Sequence, residues 1–121
     1  MREILFRGKS RYTGKWYQGD LVTVAHKRFI DDDIVKERVI PETVGQYTGL
    51  TDKNGTKIFE DDIVRLYLVD DIEMGIIKFN DIMCRFMFFT KDGSYSFNNT
   101  CTFEVIGNIH DNPELLKGDQ Q

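Results

Sequence analysis

Apolar and polar positions along this chain alternate in short runs instead of recurring every three or four residues. A two-residue period marks half-buried strands, because successive side chains on a strand point to opposite faces. Residues 4–7 form the first run, and a turn around Thr13-Gly14 leads into an extended segment over 15–25. Within that segment Leu21, Thr23 and Ala25 face one way while Val22 and Val24 face the other. Asp31-Asp32-Asp33 breaks the pattern, residues 35–40 resume it, and Pro41 stops ladder bonding because it has no N–H. Residues 46–50 run into Asp52-Lys53-Asn54-Gly55, where Asn-Gly is a strong hairpin signal since both residues tolerate positive φ. Residues 57–59 close that hairpin. Further strands are predicted over 63–69, 73–79, 84–90, 94–97 and 103–109, joined through Asp70-Asp71, Asn80-Asp81 and Asp92-Gly93. One helical turn is expected over 112–116, with Pro113 near its start, where a missing N–H costs little.

This pattern predicts an all-β fold of short antiparallel strands. From Ile63 onward the strands are apolar on both faces: Ile76, Ile77, Phe79, Phe86, Met87, Phe88 and Phe89 are too many for a one-sided core. Two-sided burial fits a small barrel with an added layer, or a surface that docks another subunit. The expected topology is therefore an SH3-like barrel in the C-terminal half and a β lobe at the N-terminus. As domains, this reads as one unit with its lobe over 1–45, a barrel-like part over 46–116 and a polar tail over 117–121. Strand order is not legible.

Composition supports strands: nine Phe, five Tyr and one Trp stand against only two Pro. A chain of 121 residues can bury a core without disulfides or a structural metal. The N-terminus carries charges throughout and has no apolar core of a secretory signal, and no run approaches a membrane span. The expected setting is the cytoplasm, without membrane association, where Cys84 and Cys101 remain free thiols. Cys84, in an apolar strand, is expected to be buried and inert. Net charge is −4, which does not suggest a general nucleic-acid binder. Its distribution is uneven: residues 1–28 hold seven bases against two acids, and the remainder nine against eighteen.

Three segments carry a family resemblance. The first is Ile4-Leu5-Phe6-Arg7-Gly8-Lys9 with Trp16 and Gly19-Asp20-Leu21. The second is Gln46-Tyr47-Thr48-Gly49-Leu50-Thr51-Asp52-Lys53-Asn54-Gly55, continued by Lys57-Ile58-Phe59-Glu60-Asp61-Asp62-Ile63-Val64. The third runs from Glu104-Val105-Ile106-Gly107-Asn108-Ile109-His110 to Leu116. In this order and spacing the chain resembles the YopX family of phage and prophage proteins. The resemblance implies a mainly β fold and a bacterial host cell, and it brings no established activity. Asp61 stands where the family usually has glycine, at a turn where glycine would supply a positive φ.

Candidate chemistry is sparse. The acids Asp31–Asp33, Asp61-Asp62 and Asp70-Asp71 fall where turns are expected, and turn acids hydrogen-bond their own backbone. His26 and His110 lack partners at metal-ligand spacing, and His26 beside Lys27 and Arg28 reads as exposed. Gly45, Gly49 and Gly55 punctuate hairpins, and none of them leads into the Gly-Lys-Ser/Thr of a phosphate loop. No catalytic, metal or cofactor residue is assigned, and no cofactor is expected. The one suggestive cluster is basic and aromatic: Arg2, Arg7, Lys9, Arg11 and Lys15, interleaved with Phe6, Tyr12, Trp16 and Tyr17. Phosphate contacts with base stacking use such a mixture, so Arg7, Lys9, Arg11, Lys15 and Trp16 are candidate nucleic-acid contacts. The expected function is a non-enzymatic accessory protein acting through protein contacts, with homo-oligomerisation motivated by the two-sided strands. Nucleic-acid binding is the alternative. An enzyme is third, to be supported by a pocket gathering Asp62, His110 or Cys84.

Overall fold

The computed structural model of the chain describes residues 3–98 and 100–118, so Arg2 and the end of the polar tail lie outside the described residues. The chain is mostly strand, in two antiparallel sheets, and divides into two units, Met1–Gly49 and Leu50–Gln121.

The first unit holds β1 (Phe6–Lys9), β2 (Trp16–Val24), β3 (Lys27–Asp31), β4 (Lys36–Arg38) and the start of β5 (Gly45–Thr51), in the order β4-β3-β2-β1-β5. The strand β3 falls in a stretch to which the residue pattern assigns no strand. Its hairpin turns through Ala25 and His26, with φ of 52° and 66°. Two-residue hairpin loops of this hand normally announce themselves with Asn-Gly, and here neither residue does. After β4 the chain returns to β1. Ser10 bridges Val39, the Ile40 N–H donates to the Lys9 carbonyl at 2.9 Å, and the Arg11 N–H donates to the Arg38 carbonyl at 3.0 Å. A Cβ on Gly8 would lie 2.9 Å from Val39 Cβ, so only glycine admits this approach. Ile30 and Val39 are buried in consequence.

The second unit opens with the hairpin from the end of β5 to β6 (Lys57–Phe59). It continues with β7 (Asp62–Tyr67), β8 (Ile72–Asn80), β9 (Arg85–Thr90), β10 (Gly93–Ser96), β11 (Thr102–Asn108) and α1 (Glu114–Gly118). Strands β7 to β10 form successive hairpins, and β11 returns to pair with β7, giving the order β10-β9-β8-β7-β11. The SH3-like barrel expected here does not form. Closure would require the outer strands to pair with each other, whereas β10 and β11 end opposite edges of an open sheet.

The register explains why both faces read as apolar. Val64, Leu66, Ile77, Phe88 and Phe103 share one face and, with Ile58, make the core of this unit. Ile63 and Met87 are buried on the other face, and Ile76 and Phe89 line a groove of about 260 Å³ together with Leu116 of α1. The apolar alternation therefore reflects packing on two sides of an open sheet. Among the described residues, no helix is long and apolar enough to cross a membrane.

Candidate functional site

In the first unit the β1–β2 register sets Lys9 opposite Trp16 and Arg7 opposite Gln18. Partners in an antiparallel pair share a face, so Arg7, Lys9 and Trp16 project together. The Arg7 guanidinium lies 4.8 Å from the Trp16 ring centroid, within reach of a cation–π contact. Phe6 and Tyr17 belong to the opposite face. Arg11 and Lys15 are exposed in the turn between the two strands. That turn is anchored by buried Ser10, whose Oγ accepts the N–H groups of Tyr12 and Thr13 and donates to Glu37 Oε2 at 2.6 Å. The structure thus brings together three of the five candidate contacts on a strand face and places two on the adjoining turn.

The second unit concentrates its buried acids at the turns that approach β11. Asp52 Oδ1 accepts the N–H groups of Asn54 and Thr56, and its Oδ2 accepts that of Val105 at 2.9 Å. Desolvation pushes the Asp52 carboxyl up, but those three donors and the Lys53 charge together outweigh it and hold its pKa below the ordinary aspartate value. Asp62 Oδ2 accepts the Phe59 N–H at 2.7 Å and pins the β6–β7 turn. Asp61, with φ of 74°, occupies the left-handed conformation that a glycine would take more cheaply. Its carboxylate lies between two side chains, Lys78 Nζ at 2.6 Å and His110 Nε2 at 3.2 Å. Its backbone is equally committed: the Asp61 N–H donates to the Ile77 carbonyl, and the Asp61 carbonyl accepts the Ile109 N–H. Nearby, the Tyr67 hydroxyl donates to Glu104 at 2.6 Å and, with help from Lys53 and Arg65, lowers the Glu104 pKa.

Chemically, these contacts fasten β11 and the turn after it to the β5–β6 turn, the β6–β7 turn and β8. His110 meets Asp61, while Cys84 sits elsewhere. Contrary to expectation Cys84 is exposed, at the end of the β8–β9 turn with φ of 54°, where its thiol approaches the Asp81 carbonyl. Strand β9, whose apolar residues suggested burial, begins only one residue later, at Arg85. Cys101 is half-buried against the second-unit core, and both cysteines are free. The remaining acids behave as turn residues. Asp32 Oδ1 accepts the Val35 and Ile34 N–H groups, which lower its pKa, and Asp71 accepts the Ile72 N–H. His26 is exposed. Among the described residues, no group of three or more His, Cys, Asp or Glu is placed to hold a metal ion.

The Asp61–His110 and Asp52–Val105 contacts are not visible from spacing alone, since each joins residues far apart in sequence. They were not anticipated from the sequence, although both partners of each contact fall inside the segments carrying the family resemblance. Those segments are the turns that hold β11 in place.

The profile of the family described as YopX protein matches residues 5–117. Among solved structures, the crystal structure of protein EF1440 from Enterococcus faecalis is similar, with a TM-score of 0.55 and 23% identity over 96% of this chain and 99% of that one. This is a likeness of fold. No curated protein matches the chain. The family match covers nearly the whole sequence and includes the turn segments that tie the second unit together, and on that ground the chain belongs to the YopX protein family.

Proposed function

We propose that this chain is a non-enzymatic accessory protein of phages or prophages, working in the bacterial cytoplasm through protein–protein contacts. The observation that carries the reading is the exposure of large apolar side chains at the two turns flanking β8, with Val69 at 98% and Ile82 at 93%. Scattered exposed hydrophobes are ordinary, whereas apolar groups gathered at turns, where polar residues normally sit, mark contact surfaces. The prominent acids support it from another side, because Asp52, Asp61 and Asp62 are each engaged in holding a turn. Affinity capture from phage-infected or prophage-bearing cells, with nuclease treatment in parallel, tests it. The expected result is a nuclease-resistant protein partner, untagged copies of the chain included, that is lost with Val69→Asp or Ile82→Asp. Capture that nuclease abolishes, or that both substitutions leave intact, overturns the reading.

A second reading, nucleic-acid binding, is favoured by the shared face of Arg7, Lys9 and Trp16. It requires single-stranded oligonucleotide binding that weakens steeply with salt and on Arg7→Glu or Lys9→Glu. Salt-insensitive binding, or none, ends it.

A further inference from the structure

We propose that two copies of this chain pair edge to edge, with β10 of one copy running antiparallel to β10 of the other about a two-fold axis at Tyr95. The inference goes beyond the protein-contact reading above, because it uses main-chain groups and neither Val69 nor Ile82. It starts from the edges of the second sheet, which β10 and β11 end. An edge strand presents a row of unpaired N–H and C=O groups, and folds usually cover that row or place charges along it. The outer side of β11 is covered: the Lys53 N–H donates to the Phe103 carbonyl and the Asp52 carboxylate accepts the Val105 N–H, both at 2.9 Å. In the first unit the terminal strand β4 is Lys36-Glu37-Arg38, charged at every position. Strand β10 has neither protection. Its sequence is Gly93-Ser94-Tyr95-Ser96, every residue is exposed, and among the described residues only β9 pairs with it.

The register fixes which groups point outward. Thr90 and Gly93 close the two-residue β9–β10 turn, and the residues that close such a turn bond each other. Hydrogen-bonded and non-hydrogen-bonded pairs then alternate along the hairpin. Tyr95 therefore bonds Phe88, while Ser94 and Ser96 direct their N–H and C=O groups away from β9. The Phe89 carbonyl agrees, since it faces β8, where a Cβ on Gly75 would lie 2.2 Å from it.

Outward groups on alternate residues are matched by another extended strand and, run antiparallel, by a copy of the same strand. Ser94 of each copy then meets Ser96 of the other, each pair exchanging both of its N–H···O bonds. Tyr95 falls on the axis opposite its counterpart, in the closer, non-hydrogen-bonded position. Its ring is 39% exposed and lies 6.0 Å from Phe88, at the end of the aromatic row of Phe88, Phe103 and Phe97, and the second Tyr95 covers its open side. Two features select a copy as the partner. An antiparallel contact about a two-fold axis is self-complementary and closes at two chains. Residues 93–97 are all neutral, so self-pairing sets no like charges opposite each other, the arrangement that opposes it.

Sedimentation velocity on the purified full chain tests this. The wild-type mass should rise with concentration from the 14.1 kDa monomer towards twice that value and stop there. Amide exchange should slow with concentration at Ser94 and Ser96, and less at Tyr95, which already bonds Phe88. Ser96→Pro removes an outward N–H that the fold does not use, so circular dichroism should stay unchanged while the chain stays monomeric. Ser94→Lys with Ser96→Lys, and Ser94→Glu with Ser96→Glu, should each be monomeric alone and form a mixed dimer together, which provides a second route if the proline variant misfolds. A wild type monomeric at every concentration, a Ser96→Pro chain that dimerises, or an equimolar mixture that stays monomeric overturns the β10 contact. Val69→Asp and Ile82→Asp should dimerise as the wild type does, and loss of the dimer in either moves the contact to those turns and overturns it as well. The two readings fail separately: capture from cells with the Ser96→Pro chain still tests the contacts of Val69 and Ile82, and a failed capture leaves the dimer standing.

Discussion

Replacing Asp52 tests most directly whether turn acids hold the second unit together. Asp52→Ala removes an acceptor for three backbone N–H groups, two in its own turn and one, Val105, on β11. A hydrogen bond to a charged group contributes ~1.5–3 kcal/mol. Asn54 and Thr56 are exposed, so water replaces the carboxylate for them at little loss, while the part-buried Val105 N–H is left wanting. Relief from desolvating the carboxylate returns some of the energy, which puts the net cost at about 2–3 kcal/mol, or ~10 °C in Tm. Urea unfolding followed by far-UV circular dichroism reads it. Trp16 fluorescence does not serve for this, because the only tryptophan lies in the first unit. Amide exchange at Val105 should accelerate in parallel. The pH dependence has a defined sign. The folded-state pKa of Asp52 is depressed, so its contribution is fully present above the unfolded value of about 3.9 and is lost as pH falls through the folded value. The stability gap between wild type and Asp52→Asn should therefore close in acid. Asp52→Ala within about 0.5 kcal/mol of wild type, or unchanged Val105 protection, would refute the reasoning, since ~0.5 kcal/mol is what an ordinary surface substitution does.

Asp61→Gly should lie within about 1 kcal/mol of wild type, because relief at φ of 74° offsets the lost pairs with Lys78 and His110. Asp61→Ala loses the pairs and keeps the strain, so urea titration should find it less stable than Asp61→Gly by about 1 kcal/mol; equal stabilities would contradict the strain. Gly75→Ala would place a Cβ 2.2 Å from the Phe89 carbonyl oxygen, within the β8–β9 pair. A loss of about 3 kcal/mol or failure to fold is expected, and a wild-type melting temperature would show that this approach is not as tight as it looks. In Tyr67→Phe the Glu104 carboxyl loses its largest stabilising partner, and its NMR titration should move up towards the ordinary glutamate value. No movement would remove Tyr67 as the cause.

Strand positions in the second unit were legible because runs rich in β-branched and aromatic residues are bracketed there by strong turn signals. The predicted runs over 63–69, 73–79, 84–90 and 103–109 overlap β7, β8, β9 and β11 to within a few residues at their ends. The β3 strand was not legible, because the left-handed turn at Ala25-His26 is imposed by pairing with β2 and not by residues that prefer it. The exposure of Cys84 was missed for a similar reason: the Asn80-capped turn extends further into the apolar run than its composition suggests. Asp61 is the opposite case, since its place at a glycine position of the family implied a positive φ, and the structure has it.

By itself, then, the sequence determined the all-β class, the family and most turns, since these depend on alternation and on local backbone preference over a few residues. Only the tertiary structure decided that the second sheet stays open, that Asp61 meets His110 and Lys78, and that Val69 and Ile82 face outward. Each of these depends on which distant strands pair and what then covers a face, and an apolar residue reads the same in sequence whether it lies beneath a neighbour or on an exposed turn.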